Sequence, residues 1–220
     1  MSQPNSREDI LTRVRAGLQH DPAQVAAKRR AALDYIAARR QGPRPLPDTD
    51  LQQRFCSRSE SMSSTVDIIA SSADVPAAIA RYLQAGGLPM RAVCWAEYGA
   101  LDWAAAGLAV EPRAARDDDL VGITGAFCAL AETGTLMLLS GPQTAATTSL
   151  LPETHIAIVR ASRIVAGMEE GFALLRAEHG ALPRAVNFVS GPSRTGDIEL
   201  TIVLGAHGPY RVHLLLVEQE

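Results

Sequence analysis

Between Thr65 and Pro112 the chain repeats one pattern, in which a short apolar run gives way to a helical stretch and then to another short apolar run. Thr65 to Ala70 reads as a strand. Asp74 is placed to cap a helix that runs through Gln84 and stops at Gly86-Gly87. Arg91 to Trp95 is a second strand, Leu101 to Ala106 a short helix ended by Gly107, and Leu108 to Pro112 a third strand. Strands separated by helices cannot pair as hairpins, so this half of the chain predicts an α/β layer structure with parallel strands. The acidic run Asp117-Asp118-Asp119 reads as a surface loop or helix start.

The second half changes character. Phe127 to Ala131, Thr135 to Leu139, His155 to Val159, Ala185 to Ser190, Leu200 to Leu204 and Val212 to Val217 all read as strands. One clear helix, Met168 to Glu178, lies among them between Gly167 and Gly180, and Glu132-Thr133-Gly134 sits at hairpin spacing. The expected fold is therefore α/β, a mixed sheet flanked by helices.

Ahead of this body, residues 6 to 40 place Ile10, Val14, Leu18, Val25, Leu33 and Ile36 near a 3.6-residue period, with arginines between them. Asp21-Pro22 suits an N-cap followed by proline at the first helical position, which splits the stretch into two helices near His20. Gln41 to Asp50 holds three prolines and a glycine and reads as a linker. The expected domains are an N-terminal helical arm over 1–45 and a body over 50–220. Such an arm packs on its own domain or meets a partner.

Composition narrows the chemistry. With 220 residues, 47% of them hydrophobic, the chain is long enough to bury a core without disulfides or a structural metal. Its 21 basic and 24 acidic residues leave no basic footprint for nucleic acid. Cys56, Cys94 and Cys128 are odd in number, widely spaced and outside any CxxC pattern, so neither a disulfide framework nor a cluster site is expected in this chain, and no metal is assigned. Lys28 is the only lysine, which argues against Schiff-base chemistry and a lysine-bearing phosphate loop. No GxSxG, GxxxxGK[ST] or HExxH occurs. The polar start lacks a secretory h-region and no apolar run is long and unbroken enough to span a bilayer, so a soluble, cytoplasmic protein is expected.

Polar residues concentrate in three places read as turns. The first runs from Gly122-Ile123-Thr124-Gly125 to Glu132-Thr133-Gly134-Thr135, where Glu132 is an acid–base candidate or only a cap for neighbouring amides. The second is Ser190-Gly191-Pro192-Ser193-Arg194-Thr195-Gly196-Asp197-Ile198-Glu199. A Gly-rich turn of this kind presents N–H groups to an anion, and Arg194 can grip a carboxylate or phosphate, unless it pairs internally with Asp197 or Glu199. The third is Gly205-Ala206-His207-Gly208-Pro209, whose imidazole exchanges protons near neutral pH or merely bonds backbone. His155 opens a strand and reads as structural; His20, His179 and His213 have no supporting context.

Six segments in order, Gly122 to Gly125, Ala131 to Thr135, Ser140-Gly141-Pro142, Leu151-Pro152 with His155, Ser190 to Glu199, and Gly205 to Pro209, resemble the lactate-utilization protein C family, also called the LUD domain. The resemblance runs from about residue 55 to the C-terminus. It implies a sheet of the CoA-transferase and ribose-phosphate-isomerase type, and a non-redox subunit of a complex that oxidises L-lactate to pyruvate. Any iron–sulfur clusters would then lie in partner subunits, and this chain would carry no cofactor of its own. Glu132-Thr133-Gly134 resembles the Glu-Asn-Gly turn in which a glutamate attacks acyl-CoA, although Thr133 replaces the amide residue. The candidate site so assembled has Glu132 and His207 as catalytic groups. Thr133, Gly134, Thr135, Ser190, Gly191, Ser193, Arg194, Thr195, Asp197 and Gly208 would bind a small anion. The alternative is a free-standing isomerase or acyl-transferase using Glu132.

Overall fold

The valine, isoleucine and leucine runs of the body enter two stacked sheets, one wholly parallel and one mixed. The computed structural model describes residues 6–18, 22–44, 50–196 and 203–219. The chain divides into two units, Met1–Pro45 and Leu46–Glu220. The first holds helices α1 (Ser6–Leu18) and α2 (Pro22–Ala38), either side of the expected break. Within it Ile10, Val14, Leu18, Leu33 and Ile36 do not bury one another.

In chain order the second unit carries α3 (Leu51–Ser61), β1 (Thr65–Ser71), α4 (Val75–Ala85), β2 (Arg91–Cys94), β3 (Ala109–Pro112), β4 (Val121–Gly125), β5 (Cys128–Leu130), β6 (Thr135–Leu139), α5 (Thr147–Leu150), β7 (Thr154–Arg160), β8 (Ile164–Val165), α6 (Met168–His179), β9 (Val186–Val189), β10 (Arg194–Thr195), β11 (Val203–Leu204) and β12 (Arg211–Gln219). The larger sheet has the order β1-β12-β7-β4-β2-β3, every neighbouring pair parallel. The smaller, β8-β5-β6-β9, is mixed: β5 pairs with β8 parallel and with β6 antiparallel, and β6 with β9 antiparallel. β10 and β11 form a two-stranded ribbon.

Side-chain alternation along these strands builds three cores in layers. Ile156, Ile158, Leu215 and Val217 face α4, where they meet Ala78, Ile79 and Leu83. The opposite face of the large sheet, with Ala157, Val159, Leu214 and Leu216, packs on Ala129, Leu136 and Leu138 of the small one, with Phe55 of α3 in the same cluster. Cys128, Leu130 and Met137, on the far face of the small sheet, pack against Leu175 of α6. The order is thus helix, parallel sheet, mixed sheet, helix.

Two local expectations need correction. Gly122 to Gly125 is no turn but the fully buried strand β4. A Cβ at Gly122 would lie 2.1 Å from the Thr148 carbonyl oxygen, so glycine lets α5 lie against the strand. Asp74 precedes α4 but does not cap it. Its carboxylate accepts from Ser71 N (3.1 Å) and Ser71 Oγ (3.0 Å), closing the short 3-10 turn before the helix.

Candidate functional site

The last turn of α3 is where the sequence-predicted loops gather. Asp50 starts this helix, its carboxylate accepting from Gln53 N at 2.9 Å. Met62 N closes the far end on Arg58 O at 3.1 Å, and the chain leaves through Ser63, whose φ is +70°. Two glycines from distant segments meet this end. A Cβ at Gly134 would stand 2.5 Å from Ser59 N, and one at Gly191 2.1 Å from Met62 O. Both have positive φ, 65° and 73°. Only glycine meets both demands, the left-handed backbone and the close approach.

Side chains join the same assembly. Ser59 Oγ donates to Gly134 O at 3.4 Å. Thr133 Oγ1 and Thr135 Oγ1 are 2.7 Å apart, and Thr135 hydrogen-bonds in turn to Ser190, so a row of hydroxyls links the Glu132 turn to the Ser190 loop. Arg194 Nη2 donates to Met62 O (3.1 Å) and Ser63 Oγ (2.5 Å). A guanidinium there also complements the negative end of the α3 dipole.

The second and third loops form one piece. Ser193 N donates to Pro209 O and Gly205 N to Ser193 O, each at 2.9 Å. A Cβ at Gly208 would lie 3.3 Å from Ser193 Cβ. Arg194 pairs with Leu204 and Thr195 with Val203 in the ribbon, and Thr195 is buried. Glu132 is half-buried, with its N–H on Ala166 O at 3.0 Å, while Thr133 and His207 are exposed. Among the described residues no hydrogen bond or ion pair joins Glu132, Arg194 and His207 to one another. Asp197, with Ile198 and Glu199, lies outside the described residues, as does His20.

His155 is structural, as its strand position suggested: fully buried, with Nε2 2.8 Å from Thr124 Oγ1 and burial holding its pKa down to about 4. His213, which the sequence left without a role, is its counterpart on the other face of the sheet. Its ring stacks on Tyr82 at 3.8 Å, Nδ1 lies 2.9 Å from Thr65 Oγ1, and burial again lowers its pKa to about 4 against the opposing pull of Asp67.

A second polar concentration was not singled out from sequence. At the C-terminal ends of β2, β4 and β7 a cavity of about 570 Å³ is lined by residues including Trp95, Glu97, Tyr98, Phe127, Arg160 and Arg163. Desolvation raises the Glu97 pKa, and the charge of Arg160 partly offsets it. The available signal was positional: Trp95, Glu97 and Tyr98 lie at or just beyond the end of the strand read over Arg91 to Trp95 as parallel, where α/β sheets bind ligands. No helix among the described residues is long and apolar enough to cross a membrane, and no group of three or more His, Cys, Asp or Glu among them is placed to hold a metal ion.

Comparison with known proteins places this architecture. Lactate utilization protein C of Bacillus licheniformis is 40% identical over 101 residues, 44% of this chain and 42% of that protein. The protein of the same name from Halalkalibacterium halodurans is 44% identical over 101 residues, 44% of each. The chain therefore matches less than half the length of these curated relatives. A DUF162 family protein from Deinococcus radiodurans, solved by crystallography, superposes with a TM-score of 0.60 at 28% identity, covering 79% of this chain and 99% of that one. The LUD domain family model matches residues 53–217, from within α3 to the end of the β12 core, and the chain belongs to that family.

Proposed function

We propose that this chain is the non-redox subunit of a lactate-utilization complex that oxidises L-lactate, cytoplasmic in location, with the loops on α3 taking a small anionic metabolite or docking iron–sulfur partner subunits. The name carried by its relatives supports the pathway. The observation that carries the site is the convergence of Gly134, Gly191 and Arg194 on the last turn of α3. Arg194 commits Nη2 to that turn, which leaves Nε and Nη1, on separate edges of the guanidinium, each to donate a single hydrogen bond to a carboxylate oxygen. The hydroxyls of Thr133, Thr135 and Ser190 form a hydrogen-bonded row that ties the Glu132 turn to the same loop. The reading also takes the stacked sheets as kin to the CoA-transferase and ribose-phosphate-isomerase architecture. A non-redox role agrees with the thiols: burial pushes Cys94 and Cys128 up to about 11, which keeps them protonated at neutral pH.

Isothermal titration with L-lactate and pyruvate tests the pocket. Saturable heat, weakened about tenfold or more in Arg194→Gln, is expected for a charge-assisted hydrogen bond to a carboxylate. No heat from a folded protein removes the pocket, and co-purification with iron–sulfur proteins then decides whether the loops dock a partner. The second reading, an isomerase or acyl transferase using Glu132, rests on the likeness of Glu132-Thr133-Gly134 to a nucleophilic turn. It predicts a trappable glutamyl thioester with acyl-CoA that Glu132→Gln abolishes without loss of stability.

A further inference from the structure

We propose that the helical arm of residues 1–45 docks on the body of a second copy of this chain, at the N-terminal edge of the large sheet, so that two copies exchange arms. The assignment is independent of the loops on α3 and stands whether or not those loops bind lactate.

Charge divides along the same line as the fold. Residues 1–45 carry nine arginine and lysine side chains against four acidic ones, a net charge of +5, and residues 46–220 carry 12 against 20, a net charge of −8. Ile10, Val14 and Leu18 recur every fourth residue of α1 and so share one face, where each is more than half exposed. At roughly 100° per residue, Arg13 and Arg15 fall on either side of that stripe. Arg15 also meets Glu8 at 3.2 Å, an exposed ion pair too weak to hold it from another carboxylate. On α2, Leu33 and Ile36 form a second exposed apolar face, with Arg29 on the same side. Such an arm suits an acidic surface with an apolar floor, and it repels a second arm of its own charge.

The body carries that surface. Leu120, Leu150, Leu151 and Tyr210 are large apolar side chains between 39% and 49% exposed. Strand register gathers them. Val121 and Arg211 both pair with Thr154, so the chain enters the adjacent strands β4, β7 and β12 side by side. Leu120 and Tyr210 immediately precede two of these entrances, and Leu150-Leu151 lie just before the third. The entrances are tied: Thr154 N donates to Leu120 O at 3.0 Å, and Arg211 N to Glu153 O at 2.9 Å. Exposed apolar side chains collected at one edge mark an interaction surface. Its border is acidic. Glu111, Asp117, Asp118, Asp119 and Glu153 stand against the guanidiniums of Arg113, Arg116 and Arg211. Arg113 pairs with Glu111 and Asp119, and Arg211 with Glu153, while Asp117 and Asp118 are exposed.

Both halves of the match belong to one chain, which makes its surface self-complementary. Two copies related by a two-fold axis cover both arms and both patches, whereas a single foreign partner of either kind leaves the other half bare. Few side chains take part on each side, so the interface is small and its strength about micromolar.

Light scattering and sedimentation velocity on the full chain test the exchange. The mass should rise from 23.4 kDa towards twice that value with concentration. The dimer should weaken as salt rises to about 1 M, where screening cuts the reach of charges to about 3 Å. Val14→Glu on the arm and Leu151→Glu on the body should each weaken it about tenfold or more, because each puts a charge on an apolar contact. A mixture of these two variants should associate more strongly than either alone, since one unaltered arm then meets one unaltered patch. Three outcomes overturn the assignment. One is a chain that stays monomeric at every concentration. Another is a dimer that Val14→Glu leaves intact, or that Leu120→Glu and Leu151→Glu both leave intact while circular dichroism shows them folded. The third is a monomer that sediments with phosphatidylglycerol vesicles, which would give the arm to an anionic membrane instead.

Discussion

At the scale of single residues, His155 and His213 couple the fold to pH. They sit on the adjacent strands β7 and β12, where His155 pairs with Val212 and His213 with Ile156, so their rings project to opposite faces of the sheet. Each is held neutral by burial down to about pH 4, against an ordinary value of 6.5. Between those pH values the unfolded chain binds protons that the folded chain refuses, so stability falls as pH drops from about 6.5 to about 4 and levels off below. Each ring contributes up to about 3 kcal/mol to that loss. Urea unfolding at pH 7 and pH 4.5 checks this: the wild-type midpoint drops sharply, and His155→Gln or His213→Gln each flattens the drop. An equal drop in both variants would assign the acid sensitivity to other groups. Neither histidine could be recognised from spacing as a buried neutral ring. His155 stood out by its strand position, whereas His213 owes its environment to Tyr82 and Thr65, which lie 131 and 148 residues away.

Among the elements, α3 is the platform on which separate segments are set. Gly134→Ala and Gly191→Ala combine a left-handed backbone with a collision against α3 backbone atoms, and each should cost about 3 kcal/mol. Gly180 offers the control. Its φ is +69°, yet nothing lies within 4 Å of its Cβ position, so Gly180→Ala should cost about 1 kcal/mol, the backbone strain alone. Thermal melts of the three variants rank them directly, and equal shifts would show that the contact with α3 carries no weight. Legibility divides along the same line. Strand and helix positions were readable because apolar spacing is local: β1, α4, β6, α6 and β12 lie where their sequences put them. Glycine was ambiguous because it serves two ends. Gly86 and Gly107 end helical segments as expected, but Gly122 and Gly125 lie in a buried strand, where other segments press close. A sequence lists the glycine and not the neighbour that requires it. For the same reason the contact between the Glu132 turn and the Ser190 loop is not legible in the sequence, because both are set by the end of α3.

Across the whole molecule, the described residues of the three cores belong to the second unit, from Leu51 of α3 onward. Deleting residues 1–45 should therefore leave a cooperatively folding body whose melting temperature moves by no more than about 3 °C, since about 1 kcal/mol shifts a body of this size by 2–4 °C. Scanning calorimetry of the truncated chain checks this, and loss of the cooperative transition would show that the arm completes a core. The order of the large sheet has a further consequence. β12, residues 211–219, lies between β1 and β7, with hydrogen-bonded partners on both sides. A growing polypeptide on the ribosome thus carries two unsatisfied strand edges, separated by a slot only its later residues can fill. Until residue 219 has cleared the exit tunnel, those edges are open to any other nascent strand, and chaperone demand should be greatest in that interval.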